Sequence, residues 1–216
     1  AEALGCMAAN YYDHPSESLR LIGVTGTNGK TTTVTLLFQL FRAIGIKAGM
    51  FTTVRNMVNN DEIPATHTTP DAIELNRILK MMVEAGCKYV FMEVSSHSVV
   101  QHRISGLNFS AGVFTNITHD HLDYHGTFDA YIKAKKKFFD MLPANAFALI
   151  NKDDVNGSVM VQNTKALKRS FSIRTAADFH AKILENQFAG LHLNIDGTEM
   201  WSKLIGSFNA SNMLAV

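Results

Sequence analysis

Apolar and polar positions alternate in blocks along this chain, and the period of the apolar positions changes from block to block. Leu19 to Val24 is a short apolar run that ends in a Gly/Thr/Asn loop, the pattern of a buried strand. Lys30 to Ile44 has helical spacing and is expected to bury Leu36, Leu37, Leu40, Phe41 and Ile44 on one side. Lys47 to Thr53 reads as a second strand. Asp71 to Ala85 reads as a helix, opened by Thr68-Thr69-Pro70 and closed before Gly86. Lys88 to Val94 is a buried-strand run, Ala111 to Thr115 and Phe147 to Ile150 are two more, and Phe128 to Leu142 is a helix between them. Strands that alternate with helices predict an α/β fold with a doubly wound, mostly parallel sheet. The last quarter changes character. Phe179 to Leu184, Leu191 to Ile195 and Met200 to Ile205 are short alternating runs, separated by the hairpin signals Gln187-Phe188-Ala189-Gly190 and Asp196-Gly197. They predict a small antiparallel β-sheet near the C-terminus.

Composition narrows the class. Hydrophobic residues make up 46% and charged residues 18% of the 216 positions, which suits a packed core and excludes a disordered chain. A formal net charge of +1 gives no basic surface for nucleic acid. No apolar run approaches the length of a membrane span, so no membrane insertion is expected. The first 18 residues lack the basic start and apolar centre of a signal peptide, and the chain begins with Ala, which points to a fragment. Two cysteines, Cys6 and Cys87, provide neither a disulfide framework nor a zinc module and suit a reducing, cytoplasmic setting.

The strongest chemical signal is Gly23-Val-Thr-Gly26-Thr-Asn-Gly29-Lys30-Thr31-Thr32, placed between a strand and a helix. Glycines let backbone N–H groups approach phosphate, and the helix N-terminus adds positive potential. Lys30 is expected to reach the β- and γ-phosphates and Thr31 a Mg²⁺ ion. The strict phosphate-loop pattern fails at one position, where Val24 replaces glycine, and the spacing is not that of a dinucleotide fingerprint. A nucleoside triphosphate site also needs an acidic group at the end of a neighbouring strand. Glu93, at the end of Tyr89-Val-Phe-Met-Glu93, supplies one. An apolar run that ends in Glu is common, so Glu93 gains its weight from the loop.

Two further clusters carry chemistry. Thr118-His119-Asp-His121-Leu-Asp-Tyr124-His125 is similar to a binuclear hydrolase metal motif but fails at its last position. A metal-dependent hydrolase that uses the His119–His125 cluster is therefore the alternative, and each histidine taken singly is better explained as orienting a loop. Among the four lysines at 133, 135, 136 and 137, only Lys135 falls on the apolar stripe of Phe128, Tyr131, Phe138, Phe139 and Leu142. A lysine there either turns inward, where burial favours the neutral amine, or snorkels to the edge; spacing alone favours neither.

Gly26 to Thr32, Glu93-Val-Ser-Ser-His97, Gln101-His-Arg103, Phe114 to Gly126 and Lys135 together resemble the Mur ligases, from about Leu19 to the end of the chain. The loop alone would also suit the related folylpolyglutamate synthetases. The resemblance implies an ATP-dependent, amide-forming ligase of cytoplasmic peptidoglycan synthesis. Within the family it points to the member that adds the third amino acid, meso-diaminopimelate or L-lysine, to UDP-MurNAc-L-Ala-D-Glu through an acyl phosphate. The partners are then the UDP-MurNAc-dipeptide and an amino acid, the cofactors ATP and two Mg²⁺, and the protein a monomer. Carried over by position, Gly26, Thr27, Asn28, Gly29, Lys30, Thr31, Thr32, Asn116 and Asn209 bind ATP. Thr31 and Glu93 hold one Mg²⁺, and His121 with carbamylated Lys135 holds the second. His67, Thr68, Thr69, Ser95, Gln101 and Arg103 contact the UDP-MurNAc-dipeptide. Residues 1–18 are then a linker remnant and 19–216 the family's central domain. Without the UDP-binding and C-terminal domains, this chain is expected to be inactive in ligation.

Overall fold

The computed structural model describes every residue except Thr66 and residues 119–121, and every side chain beyond these except those of Leu122 and Asp123. In chain order the elements are α1 (Glu2–Tyr11), a 3₁₀ turn (Pro15–Glu17), β1 (Arg20–Thr25), α2 (Lys30–Ala43), β2 (Ala48–Phe51), β3 (Arg55–Val58) and β4 (Asp61–Pro64). There follow α3 (Ala72–Glu84), β5 (Tyr89–Glu93), α4 (Ser96–Val100), β6 (Ala111–Phe114), α5 (Leu122–His125), α6 (Phe128–Asp140) and β7 (Phe147–Asn151). The chain closes with α7 (Gly157–Met160), β8 (Leu167–Ser172), β9 (Phe179–Gln187), β10 (Gly190–Ile195), β11 (Thr198–Ser202) and α8 (Ser207–Leu214).

The described strands join in one sheet in the order β11-β10-β9-β8-β7-β6-β1-β5-β2-β3-β4. The run from β2 to β9 is parallel, and antiparallel strands close both edges. Because the central strands are covered on both faces, they read as continuous apolar runs. Their side chains divide by period two. Leu21, Val90, Met92, Phe114, Ala148 and Ile150 enter a core with α3, α4 and α6. Val24, Phe91, Val113 and Leu149 enter the opposite core with α2 and α8. The C-terminal hairpins form as expected. Asp196 and Gly197 both have positive φ, 47° and 92°, the geometry of a tight two-residue turn. That antiparallel group is continuous with the main sheet, since Phe171 and Ser172 of β8 pair with Phe179 and His180 of β9.

The expectation missed three strands and misjudged one helix face. β3, β4 and β8 carry the charges Arg55, Asp61, Glu62, Lys168 and Arg169 at exposed positions, which hid their pattern. On α2 the buried residues are Thr33, Val34, Leu37 and Phe38, while Leu40 is 45% and Ile44 63% exposed. The phosphate loop fixes the rotation of the first turn, so the polar Thr33 takes an interior place and the apolar arc turns partly outward. Residues 1–18 also hold more structure than a linker. Gly5, Ala8 and Ala9 of α1 are buried, α1 packs on α3, and Asp13 pairs with Lys80 at 2.8 Å.

Candidate active site

The parallel register brings the C-terminal ends of β1, β5, β6 and β7 to one rim of the sheet, where open α/β sheets bind ligands. The loop after β1 curls over this rim. Gly26 sits at φ 155°, and a Cβ there would collide with Thr115 Oγ1. Gly29 adopts φ 86° as the N-cap of α2 and offers no side chain to the first turn, which leaves helix N–H groups for an anion.

The segment after β6 straps the loop from outside. Asn116 clamps Asn28, its Oδ1 accepting from Asn28 N at 2.9 Å and its Nδ2 donating to Asn28 O at 3.0 Å. Thr115 Oγ1 donates to Asn28 O at 2.6 Å, and Thr27 N donates to Asn116 O at 2.8 Å. Thr118 N donates to Thr27 Oγ1 at 3.0 Å, and the Tyr131 hydroxyl lies 3.2 Å from the same oxygen. From β7, Asn151 Nδ2 holds Thr115 O at 2.8 Å. Asn116 thus orders the loop by its own contacts. Asn209 faces inward: its Nδ2 donates to Ile205 O, and its Oδ1 accepts from Asn212 Nδ2. Its helix neighbours Ser207, Phe208, Ser211 and Asn212 line a cavity of about 670 Å³ with Asn28, Gly29, Thr32 and Asn116.

Two lysines meet at one carbonyl. Lys30 Nζ donates to Gly26 O at 3.0 Å and to Thr27 O at 2.9 Å. Lys135 Nζ donates to the same Gly26 O at 2.8 Å and lies 4.5 Å from the centre of the Tyr131 ring. Lys135 is 1% exposed, so of the alternatives left by the helix spacing the inward one holds. Lys133 and Lys136 instead pair with Asp129 and Asp140 on α6.

On the other side of the loop lies a cavity of about 400 Å³, lined by Lys30, Thr31, Thr53, His67, Thr68, Thr69, Glu93, Ser95, His97 and Arg103. Glu93 is 1% exposed. Its carboxylate accepts from Thr31 Oγ1 at 2.8 Å and from Thr53 N at 2.8 Å. Thr69 Oγ1 donates to Glu93 O at 2.8 Å, and Arg103 Nη1 to Thr69 O at 2.7 Å. Gln101 stands outside this lining and holds Arg103 by accepting from Nε at 2.9 Å. Ser95 caps α4 by accepting from Ser98 N at 3.1 Å. His67 is exposed at the rim. Thr53 escaped the sequence reading, because a threonine at a strand end carries no pattern of its own.

His119 and His121 lie outside the described residues. Asp120 lies outside them as well, while His125 and Tyr124 anchor the loop, with His125 Nε2 2.9 Å from Ser96 Oγ and His97 packed on the Tyr124 ring. Among the described residues no group of three His, Cys, Asp or Glu side chains is placed to hold a metal ion. The oxygen donors Thr31 and Glu93 do fit a hard cation such as Mg²⁺. A buried carboxylate whose described hydrogen-bond donors are neutral leaves a charge for a cation to offset.

Residues 24–216 match the Mur ligase middle domain, and the chain belongs to that family. Over 216 residues the chain is 59% identical to the UDP-N-acetylmuramoyl-L-alanyl-D-glutamate–2,6-diaminopimelate ligase of Cytophaga hutchinsonii and 57% identical to that of Parabacteroides distasonis. Each alignment takes in 100% of this chain and 44% of the relative, so the chain spans less than half the length of these curated relatives. A solved structure of a ligase of the same name superposes with a TM-score of 0.85 at 28% identity, over 99% of this chain and 46% of that one. Escherichia coli FolC in complex with DHPP and ADP shares the fold, with a TM-score of 0.69 at 20% identity, over 98% and 55% of the two chains. Among the described residues no helix is long and apolar enough to cross a membrane.

Proposed function

We propose that this chain is the central, nucleotide-binding domain of an ATP-dependent ligase. The ligase would join meso-diaminopimelate to UDP-MurNAc-L-Ala-D-Glu in cytoplasmic peptidoglycan synthesis. The observation that carries this reading is the single cavity in which Lys30 and Thr31 of the phosphate loop meet Glu93, Thr68, Thr69 and Arg103. That arrangement sets a phosphate-binding loop beside hydroxyl and guanidinium groups suited to a carboxylate. Diaminopimelate, rather than lysine, is favoured by the names of the relatives.

In this reading the loop N–H groups and Lys30 hold the phosphates of ATP, with Gly26, Thr27, Asn28, Gly29 and Thr32 forming the cradle and Asn116 keeping it in shape. Asn209 acts from behind, by fixing Asn212 against the nucleotide cavity. Arg103, Thr68 and Thr69, with His67 at the rim, bind the dipeptide end of the acceptor. Ser95 and Gln101 hold α4 and Arg103 in place. The acceptor carboxylate attacks the γ-phosphorus and ADP leaves. The amine of the amino acid then displaces phosphate from the acyl phosphate. Thr31 and Glu93 would hold one Mg²⁺, and His121 with carbamylated Lys135 a second. These ions would supply charge neutralisation between two anions. The chain's own contribution is positioning, which supplies much of the acceleration in phosphoryl transfer.

Lys30→Ala tests the reading. ATP binding, measured by calorimetry on the folded chain, should weaken by at least tenfold, and ligation by the full-length protein should be lost. Unchanged ATP affinity would exclude the phosphate-loop role. Full-length protein that prefers lysine to diaminopimelate would revise the substrate alone.

A further inference from the structure

The loop between β2 and β3 supplies a residue with no assigned role. Phe51 pairs with Met92 in the parallel register, so the chain leaves β2 beside the end of β5. Thr52 is buried and braces the turn, its Oγ1 donating to Arg55 O at 2.6 Å. Thr53 is thereby held over Glu93. Its N–H donates to Glu93 Oε1 at 2.8 Å, and its Oγ1 lies 3.4 and 3.3 Å from the two carboxylate oxygens. The same Oγ1 lies 3.1 Å from Thr68 Oγ1. One hydroxyl has one proton to give, and here it has two takers, both of which line the cavity.

We propose that Thr53 is a positioning residue that links the cation-side carboxylate Glu93 to the acceptor-side hydroxyl Thr68. This inference rests on the ligase reading above. Thr31 also bonds Glu93, but its hydroxyl is the one a cation would take over, and Thr53 then remains to hold the carboxylate. Its N–H and hydroxyl hold the carboxylate while the same hydroxyl stays within reach of Thr68. The two halves of the site are thereby coupled through one side chain, and such coupling is reciprocal.

The test compares Thr53→Val, which keeps shape and loses the hydroxyl, with Thr53→Ser, which keeps the hydroxyl. Both are made in the full-length ligase and checked for folding by circular dichroism. Two binding readouts are used, neither of which needs turnover. The first is Mn²⁺ affinity in the presence of a non-hydrolysable ATP analogue, followed by electron paramagnetic resonance. The second is UDP-MurNAc-L-Ala-D-Glu affinity by calorimetry. Thr53→Val is expected to weaken both by about tenfold, the scale of one hydrogen bond to a charged partner, and Thr53→Ser to restore both. Metal-free analogue affinity should stay at the wild-type value, since the phosphate loop is untouched. Wild-type affinities in Thr53→Val, or equal losses in Val and Ser, would overturn the proposal. A wild-type protein that fails to bind the acceptor would overturn the ligase reading itself, and the Mn²⁺ readout would still judge the link to Glu93.

Discussion

Gly26 is where the chemistry and the backbone constrain each other most. Its carbonyl receives both Lys30 and Lys135, and its α-carbon faces Thr115 with no room for a side chain. Gly26→Ala should therefore displace the loop from the Thr115–Asn116 strap and weaken ATP binding by more than tenfold. Equal ATP affinity in calorimetry would show that the strap yields. Lys135 shows how far a helix period reaches. Its inward direction was among the readings that the stripe of Tyr131, Phe138 and Phe139 allowed, and burial of its polar end is costly enough to require partners. One of its partners, a carbonyl 109 positions earlier in the chain, has no trace in local sequence.

At the scale of elements, caps and faces behave differently. Asp71 caps α3 through Oδ1, which accepts from Ile73 N and Glu74 N, both at 3.0 Å. Reading Thr68-Thr69-Pro70 as the opening places the helix start correctly, but the capping side chain is Asp71, and Thr69 instead donates to Glu93 O. Asp71→Ala should cost about 1 kcal/mol of stability, seen as a lower urea midpoint with unchanged slope. ATP affinity should not change, since Asp71 lines neither of the two cavities beside the loop. The face of α2 was not legible. Its apolar residues span a wide arc, and the edge that is buried depends on where the loop launches the helix. Gly23 teaches the same lesson. It reads as part of the glycine-rich motif, yet it lies within β1, and a Cβ there would strike the Phe138 ring of α6. Its task is close packing of a helix on a strand, at a position that the motif cannot tell from its loop glycines.

The whole molecule sets reactivity as well as shape. Cys6 is exposed on α1, while Cys87 is buried in the core between α3 and β5, and burial pushes its thiol above the usual cysteine range. A thiol so raised stays protonated at neutral pH and reacts slowly. Iodoacetamide at pH 7.5 should label Cys6 within minutes and Cys87 only as urea unfolds the sheet, as peptide mass spectrometry can follow. Labelling of both at one rate in the folded protein would contradict the packed core. Binding of ATP should slow Cys87 labelling further, because a ligand that binds only the folded state stabilises it.

Local order was within reach of the sequence alone. The strand–loop–helix at residues 19–44, the hairpin at Asp196-Gly197, the start of the helix at Asp71 and the alternation of helices and strands depend on neighbours a few positions apart. Short-range sterics and hydrophobic period encode these directly. The sequence also contained Lys30, Thr31 and Glu93, whose chemistry is recognisable by type. Tertiary structure alone decided which distant residues meet. Thr53 sits over Glu93 because β2 lies beside β5, and Asn116 clamps Asn28 because β6 lies beside β1. Lys135 reaches Gly26 because α6 packs on the face of the sheet opposite α2. Strand order is a global outcome of burying two faces of one sheet, so the contacts that build the site across the sheet rim appear only once the sheet has closed.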